Sequence, residues 1–330
     1  MLFSRRSTLA LLLVLSPFTF AATTRKSPTR PAESADNSAA YKGAIVLDVA
    51  TGKTLFEDRS DYVGPPASVT KLMTFLLVHD RIAKGDLTSQ TPINVTAEAA
   101  KTGGSQVYLA EKEVFPLDEM LYALMIASAN DVATALAVHI AGSKSAFVEL
   151  MNARARELGM SDTTFRSPHG LPPSSRSTVE SDLTSPRDLA KLSLHLLKTT
   201  NVLTYTSVKQ RTFRPGPKRI DMINHNHLLG KVAGVDGLKT GFTRGAGFCL
   251  AATALRNGRR VLVITMGSPD SKTRDIKIAE LLERGFTALP ANVTPLPSPA
   301  ESPIKPAPRP AAPPAAPGPE PVIKFSVPKK

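Results

Sequence analysis

Three short groups of residues in this chain have the types and spacing that acyl-transfer chemistry needs. The first is Ser68-Val69-Thr70-Lys71, a hydroxyl and an amine three residues apart. On a helix those side chains share a face, so a neutral Lys71 amine can take the proton of the Ser68 hydroxyl. Free amide N–H groups at a helix start stabilise negative charge on an acyl oxygen and favour a deprotonated lysine. The second group is Ser128-Ala129-Asn130 and the third is Lys239-Thr240-Gly241. On an edge strand, Gly241 leaves the backbone open to a substrate lying alongside, with Lys239 and Thr240 placed to hold a terminal carboxylate.

Each group also has a plainer reading. A serine at the head of an apolar run is commonly an N-cap or first-turn residue. Lys239 could be a solvated lysine on a surface strand, and Ser128 and Asn130 could be structural polar residues inside a helix. Copies occur elsewhere: Ser302…Lys305 and Ser326…Lys329 in a proline-rich segment, and Lys101-Thr102-Gly103 in a stretch that reads as a loop. Context separates them. Ser68 follows Gly64-Pro65-Pro66-Ala67 and heads a run with Leu72, Met73, Leu76, Leu77 and Ile82 at helical spacing. The other Ser-x-x-Lys copies have neither helix nor core around them.

The elements that must position these groups can be read along the chain. Residues 44–48 read as a strand, 51–53 as a turn, and a short strand passes through Leu55 and Phe56. The run from Ser68 to Arg81 is helical. A single helix is expected from Leu117 to Ile140, because Glu119–His139 contains no Gly or Pro; functional use of Ser128 and Asn130 requires a break there. Further helices are expected at Ala146–Leu158, Pro186–Leu197 and Thr273–Phe286. Strands are expected at Gly247–Leu255 and Arg260–Met266, joined by an Asn257-Gly258 hairpin turn. Strands at both ends with helices between them indicate an α+β sandwich.

The 330 residues carry 41 Lys+Arg against 28 Asp+Glu, a formal charge of +13. Residues 1–40 and 287–330 hold +3 each, which leaves +7 on the middle. That is too diffuse for a nucleic-acid-binding stripe, so no nucleic-acid partner is expected. One cysteine, Cys249, excludes an internal disulfide framework and multi-cysteine zinc motifs. His225 and His227 lack a third ligand at metal-site spacing, so neither metal nor cofactor is expected. Residues 1–22, with Arg5-Arg6, an apolar run from Leu9 and a small-residue exit, read as a cleaved export signal, by the general secretory rather than the twin-arginine route. Residues 23–40 read as a flexible spacer. Of the 28 prolines, 14 lie between Pro290 and Pro328, so 287–330 read as a Pro/Ala-rich tail.

Taken together, the three groups are the signature of penicillin-recognising serine enzymes. The flanks narrow it further. Pro66–Thr74, Met125–Asp131, Val235–Thr243 and Ala246–Leu250 resemble the D-alanyl-D-alanine carboxypeptidases among the low-molecular-mass penicillin-binding proteins. Gly104-Ser105, Pro168–Leu171 and Asn224–Leu229 also fall where that family has similar blocks, and the resemblance covers roughly 41–286. It implies an α+β fold of the penicillin-binding-protein/β-lactamase type, an antiparallel sheet flanked by helices with a helical subdomain.

The same resemblance implies roles for single residues. Ser68 is then the nucleophile on the bond between two D-alanines, and Lys71 its general base. Ser128, bridging towards Lys239, relays the proton to the leaving D-alanine, and Asn130 orients Lys71 and the substrate amide. Lys239 and Thr240 hold the terminal carboxylate, with Arg244 assisting. The N–H groups of Ser68 and Phe242, beside Gly241, form an oxyanion hole, worth about 2.7–4 kcal/mol per donor. The implied partners are peptidoglycan stem peptides ending in D-Ala-D-Ala, and β-lactams as covalent inhibitors, in the periplasm or cell envelope. With proline so frequent after Phe286, the C-terminal amphipathic membrane helix of several family members is not expected. A D,D-endopeptidase acting on cross-links, and a non-catalytic module binding wall peptides or β-lactams, are the alternatives.

Overall fold

The computed structural model describes residues 40–173 and 180–289. The chain enters through β1 (Gly43–Asp48) and β2 (Thr54–Asp58) and crosses a 3-10 turn, Ala67–Thr70. A helical half follows, built from α1 (Lys71–Ala83), β3 (Pro92–Asn94), α2 (Ala97–Ala100), β4 (Val114–Pro116), α3 (Leu117–Ile126), α4 (Asn130–Ala141) and α5 (Lys144–Glu157). It continues through α6 (Pro186–Thr199), α7 (Val202–Thr206), β5 (Gln210–Phe213) and β6 (Ile220–Ile223). The chain then returns through β7 (Val235–Thr243), β8 (Gly247–Arg256), β9 (Arg259–Ser268) and α8 (Ser271–Ala288).

β1, β2 and β7–β9 form one antiparallel sheet in the order β2-β1-β9-β8-β7, so β7 is an edge strand. Side chains alternate between its faces with the strand period of two. Ile45, Leu47, Leu262 and Ile264 join the core shared with the helical half, while Ala44, Val46, Val261 and Val263 pack under α8. Gly285 lets α8 lie close: a Cβ there would come within 2.7 Å of Val261 and 2.9 Å of Val46. The β8–β9 connection is the expected two-residue turn, with Asn257 at φ 50° and Gly258 at φ 72°.

The α+β architecture and nearly all expected elements are present. One expectation fails. The helix drawn from Leu117 to Ile140 is two helices, interrupted at Ala127-Ser128-Ala129, where Ser128 takes φ 57°. Two other hydrogen bonds replace the missing helical ones: Ala129 N–H closes the end of α3 on Ala123 O at 3.2 Å, and Asn130 N–H makes a tertiary bond to Ser105 O at 2.8 Å. The last helix also runs two residues past the expected end, to Ala288. The export signal, nearly all of the spacer and the tail from Pro290 lie outside the described residues. Among the described residues, no helix is long and apolar enough to cross a membrane and no cluster of metal-ligating side chains occurs.

Candidate active site

The 3-10 turn, the α3–α4 break and edge strand β7 meet at one cleft. Ser68 stands in the turn rather than inside α1, preceded by Ala67 at φ 49°. No side-chain cap hydrogen bond starts either the turn or α1, so Ser68 is not an N-cap, although it does lie in the turn that leads into the helix. Lys71 opens α1 and is fully buried. Its Nζ lies 2.9 Å from Ser68 Oγ, 2.6 Å from Asn130 Oδ1 and 2.8 Å from His169 O. A neutral amine has two N–H groups and one lone pair. In that form Asn130 Oδ1 and His169 O would take the two N–H groups and leave the lone pair to the Ser68 hydroxyl, whereas a charged Lys71 donates to all three oxygens. Burial, and secondly the Lys239 ammonium, push the Lys71 amine well below its usual range, while Asp182 and Asp131 oppose that shift.

Two glycines permit the close approach of these pieces. A Cβ at Gly241 would stand 2.5 Å from Pro66 O and 3.0 Å from Ser68 N, so strand β7 lies directly against the turn. Gly170, at φ 84°, lets the loop carrying His169 rest on Ala67, where a Cβ would come within 1.9 Å of the carbonyl oxygen. The α3–α4 break brings in the remaining side chains. Asn130 donates from Nδ2 to Gly103 O at 2.8 Å while its Oδ1 faces Lys71. Asp131 behind it accepts from Val107 N and Leu109 N, which fastens the loop that supplies Gly103 and Ser105.

Lys239 is buried on β7, and its Nζ donates to Thr240 O at 3.0 Å. Burial, with a smaller contribution from the Arg274 guanidinium, brings its pKa down to about 7. Ser128 Oγ is buried with no hydrogen-bond partner. The expected Ser128–Lys239 bridge is therefore not formed; the two polar groups are present without a mutual bond. Thr240 is buried beside Lys239 on the strand. Phe242 is 53% exposed and stacks on Phe248 at 4.2 Å between centroids. Arg244, one residue beyond β7, is exposed and makes no hydrogen bond or ion pair with a described residue. Cys249 is buried, 3.9 Å from Pro65 O, and its thiol is pushed up to about 11 by burial.

Some contributors were not legible as site residues. His169 acts through its carbonyl, not its ring; the ring nitrogen Nδ1 accepts from Leu171 N, and burial lowers its pKa to about 3. Asn226 braces β7 by donating to Gly237 O at 3.2 Å. Both belong to blocks that the resemblance marked without roles. Asp182 carried no sequence signal at all.

This cleft between a helical half and the edge of a five-stranded antiparallel sheet defines the class: the fold is that of the penicillin-binding proteins. Penicillin-binding protein D2 of Listeria monocytogenes, solved with ampicillin bound, superposes with a TM-score of 0.67 at 33% identity, over 75% of this chain and 97% of that one. Residues 28–270 match the D-alanyl-D-alanine carboxypeptidase family (peptidase family S11), and the chain belongs to that family. It is 33% identical to the D-alanyl-D-alanine carboxypeptidase DacF of Bacillus subtilis over 282 residues, 85% of this chain and 70% of the relative. A D-alanyl-D-alanine endopeptidase of Pseudomonas aeruginosa is 33% identical over 255 residues, 75% of this chain and 79% of that protein.

Proposed function

We propose that this enzyme removes the terminal D-alanine from peptidoglycan stem peptides ending in D-Ala-D-Ala, through an acyl-enzyme on Ser68. The observation that carries this reading is the buried Lys71 amine 2.9 Å from Ser68 Oγ, held from its other sides by Asn130 Oδ1 and His169 O. Ser68 Oγ attacks the carbonyl carbon of the penultimate D-alanine, and its proton passes to the Lys71 lone pair. The oxyanion that forms faces the Ser68 and Phe242 N–H groups. When the intermediate collapses, the C–N bond breaks, Ser128 Oγ gives its proton to the leaving amine and takes up the one Lys71 received from Ser68, so Lys71 is neutral again. Among the described residues that hydroxyl has no hydrogen-bond partner. Water then attacks the ester, Lys71 again serving as base, and Ser68 is restored.

On the binding side, Lys239 and Thr240 would receive the terminal carboxylate while the peptide runs along the open edge of β7. The exposed Arg244 is the weakest member of that set. The same geometry accommodates a β-lactam, whose ring-opened acyl chain would occupy Ser68. Because the substrate lies outside the cytoplasm, this reading also requires export, to which the first 22 residues are suited.

Incubating the purified enzyme with a pentapeptide ending in D-Ala-D-Ala should release one equivalent of D-alanine, and Ser68→Ala should release none. The endopeptidase reading has the Pseudomonas relative in its favour. Cleavage of cross-linked dimers with no release of D-alanine from the pentapeptide would select it. Saturable binding without product or covalent adduct would select the non-catalytic module.

A further inference from the structure

Asp182 is a buried carboxylate, 3% exposed, on the segment that returns from the 160s loop towards α6. Four donors converge on it. Oδ1 accepts from Arg166 N at 2.6 Å and Ser167 N at 2.9 Å, and Oδ2 accepts from Thr70 Oγ1 at 3.0 Å and Ser167 Oγ at 2.9 Å. Burial raises the Asp182 pKa above the usual carboxylate value, and the donors on both oxygens, from Arg166, Ser167 and Thr70, work against that and favour the ionised form.

The partners lead directly to the reacting groups. Thr70 belongs to the same turn as Ser68 and precedes Lys71. Ser167 Oγ, held by Asp182, accepts in turn from Gly170 N at 2.8 Å. That fixes the loop from which Pro168 O accepts from Thr74 Oγ1 at 2.5 Å and His169 O accepts from Lys71 Nζ at 2.8 Å.

We propose that Asp182 is a positioning residue for Lys71, tying the turn that carries Ser68 to the loop whose His169 carbonyl holds the lysine amine. The proposal rests on Ser68 and Lys71 having the roles given above. A buried carboxylate that merely stapled the loop would set its shape and nothing more. Asp182 has a second effect through the charge it carries when ionised.

The groups that act electrostatically on Lys71 are Lys239, which lowers its proton affinity, and Asp182 and Asp131, which raise it. His169 and His225 also sense Lys71 and are held neutral by burial, with pKa values of about 3 and about 4. Removing the Asp182 charge therefore lowers the proton affinity of Lys71 further, so the base remains neutral to lower pH. Removing its hydrogen bond to Thr70 loosens the geometry without touching the charge.

The test uses the full chain and the second-order rate of labelling by a fluorescent penicillin, followed from pH 4 to 9. Asp182→Asn should slow labelling at neutral pH about 10-fold, a fraction of what a 1 Å misplacement costs. It should also move the acid limb down by about half a unit or more, less than the 1–3 units of a direct ion pair. Thr70→Val should slow labelling while leaving the acid limb where the wild type has it. Labelling within twofold of wild type in both variants overturns the proposal. So does a slower Asp182→Asn whose loss follows its melting temperature while the acid limb stays fixed. If Asp182→Asn does not fold, the Thr70→Val rate decides by the same twofold criterion. A wild-type chain that takes no label and releases no D-alanine would instead defeat the underlying functional reading.

Discussion

Replacing Gly241 by alanine places a Cβ 2.5 Å from Pro66 O, 3.0 Å from Ser68 N and 3.1 Å from Val69 Cγ2. The first two are backbone atoms of the turn that carries the nucleophile, and no side chain can swing away to relieve them. Restoring an ordinary contact of about 3.4 Å to Pro66 O requires β7 to withdraw by about 0.9 Å. As an edge strand, β7 has the freedom to do so. The withdrawal separates Ser68 from the Phe242 N–H and from Thr240, which widens the proposed oxyanion hole. A displacement near 1 Å is expected to cost about 100-fold in acylation rate, or about 2.7 kcal/mol of barrier. Overpacking should also cost about 1–3 kcal/mol of stability. Stopped-flow labelling with a chromogenic cephalosporin measures the first and thermal unfolding the second. Gly241→Ala labelling within about threefold of wild type would refute the argument that this contact sets the site geometry.

Ser128→Gly should relieve the positive φ of 57° and so stabilise the fold by about 1 kcal/mol, while removing the proposed proton relay and slowing D-alanine release; a drop in melting temperature would contradict the strain argument. Lys239 should make stability depend on pH. Its folded pKa of about 7 lies below the usual 10.5, so the unfolded chain binds more protons between those values and stability rises with pH across that window. In Lys239→Met that contribution is gone: the variant should be the more stable protein near pH 7, and its advantage should shrink towards pH 10. An advantage constant with pH would refute the assigned shift. Asn130→Ala should free one Lys71 N–H and the Gly103 carbonyl together, and reduce labelling by about 100-fold or more; labelling within fivefold would exclude an orienting role.

The sequence was most informative where chemistry sits on side chains in short, ordered groups. Ser68, Lys71, Asn130 and Lys239 stand out in the sequence, and the structure places them close together. The sheet strands were equally clear, because their apolar residues serve both faces and the Asn257-Gly258 turn has distinct backbone needs. What stayed hidden acts through the backbone or through long-range contacts. His169 O, Gly103 O and Ser105 O are carbonyls, and any residue type carries one. The break at Ser128 left no Gly or Pro to announce it, since it is imposed by Asn130 N–H binding Ser105 O instead of continuing a helical ladder. Asp182 belongs to no motif; its importance arises from four donors brought together by tertiary folding. Ser128 and Lys239 were expected to bridge, yet Lys239 satisfies itself on Thr240 O and leaves the serine hydroxyl unpaired.

The central claim is that Ser68, activated by Lys71, forms a covalent acyl-enzyme. Intact-protein mass spectrometry after a brief exposure to benzylpenicillin tests it most directly, followed by peptide mapping of the adduct. One adduct of the full penicillin mass is expected, located on the peptide containing Ser68 and absent in Ser68→Ala. An adduct mapped to another residue, or one that survives in Ser68→Ala, would contradict it.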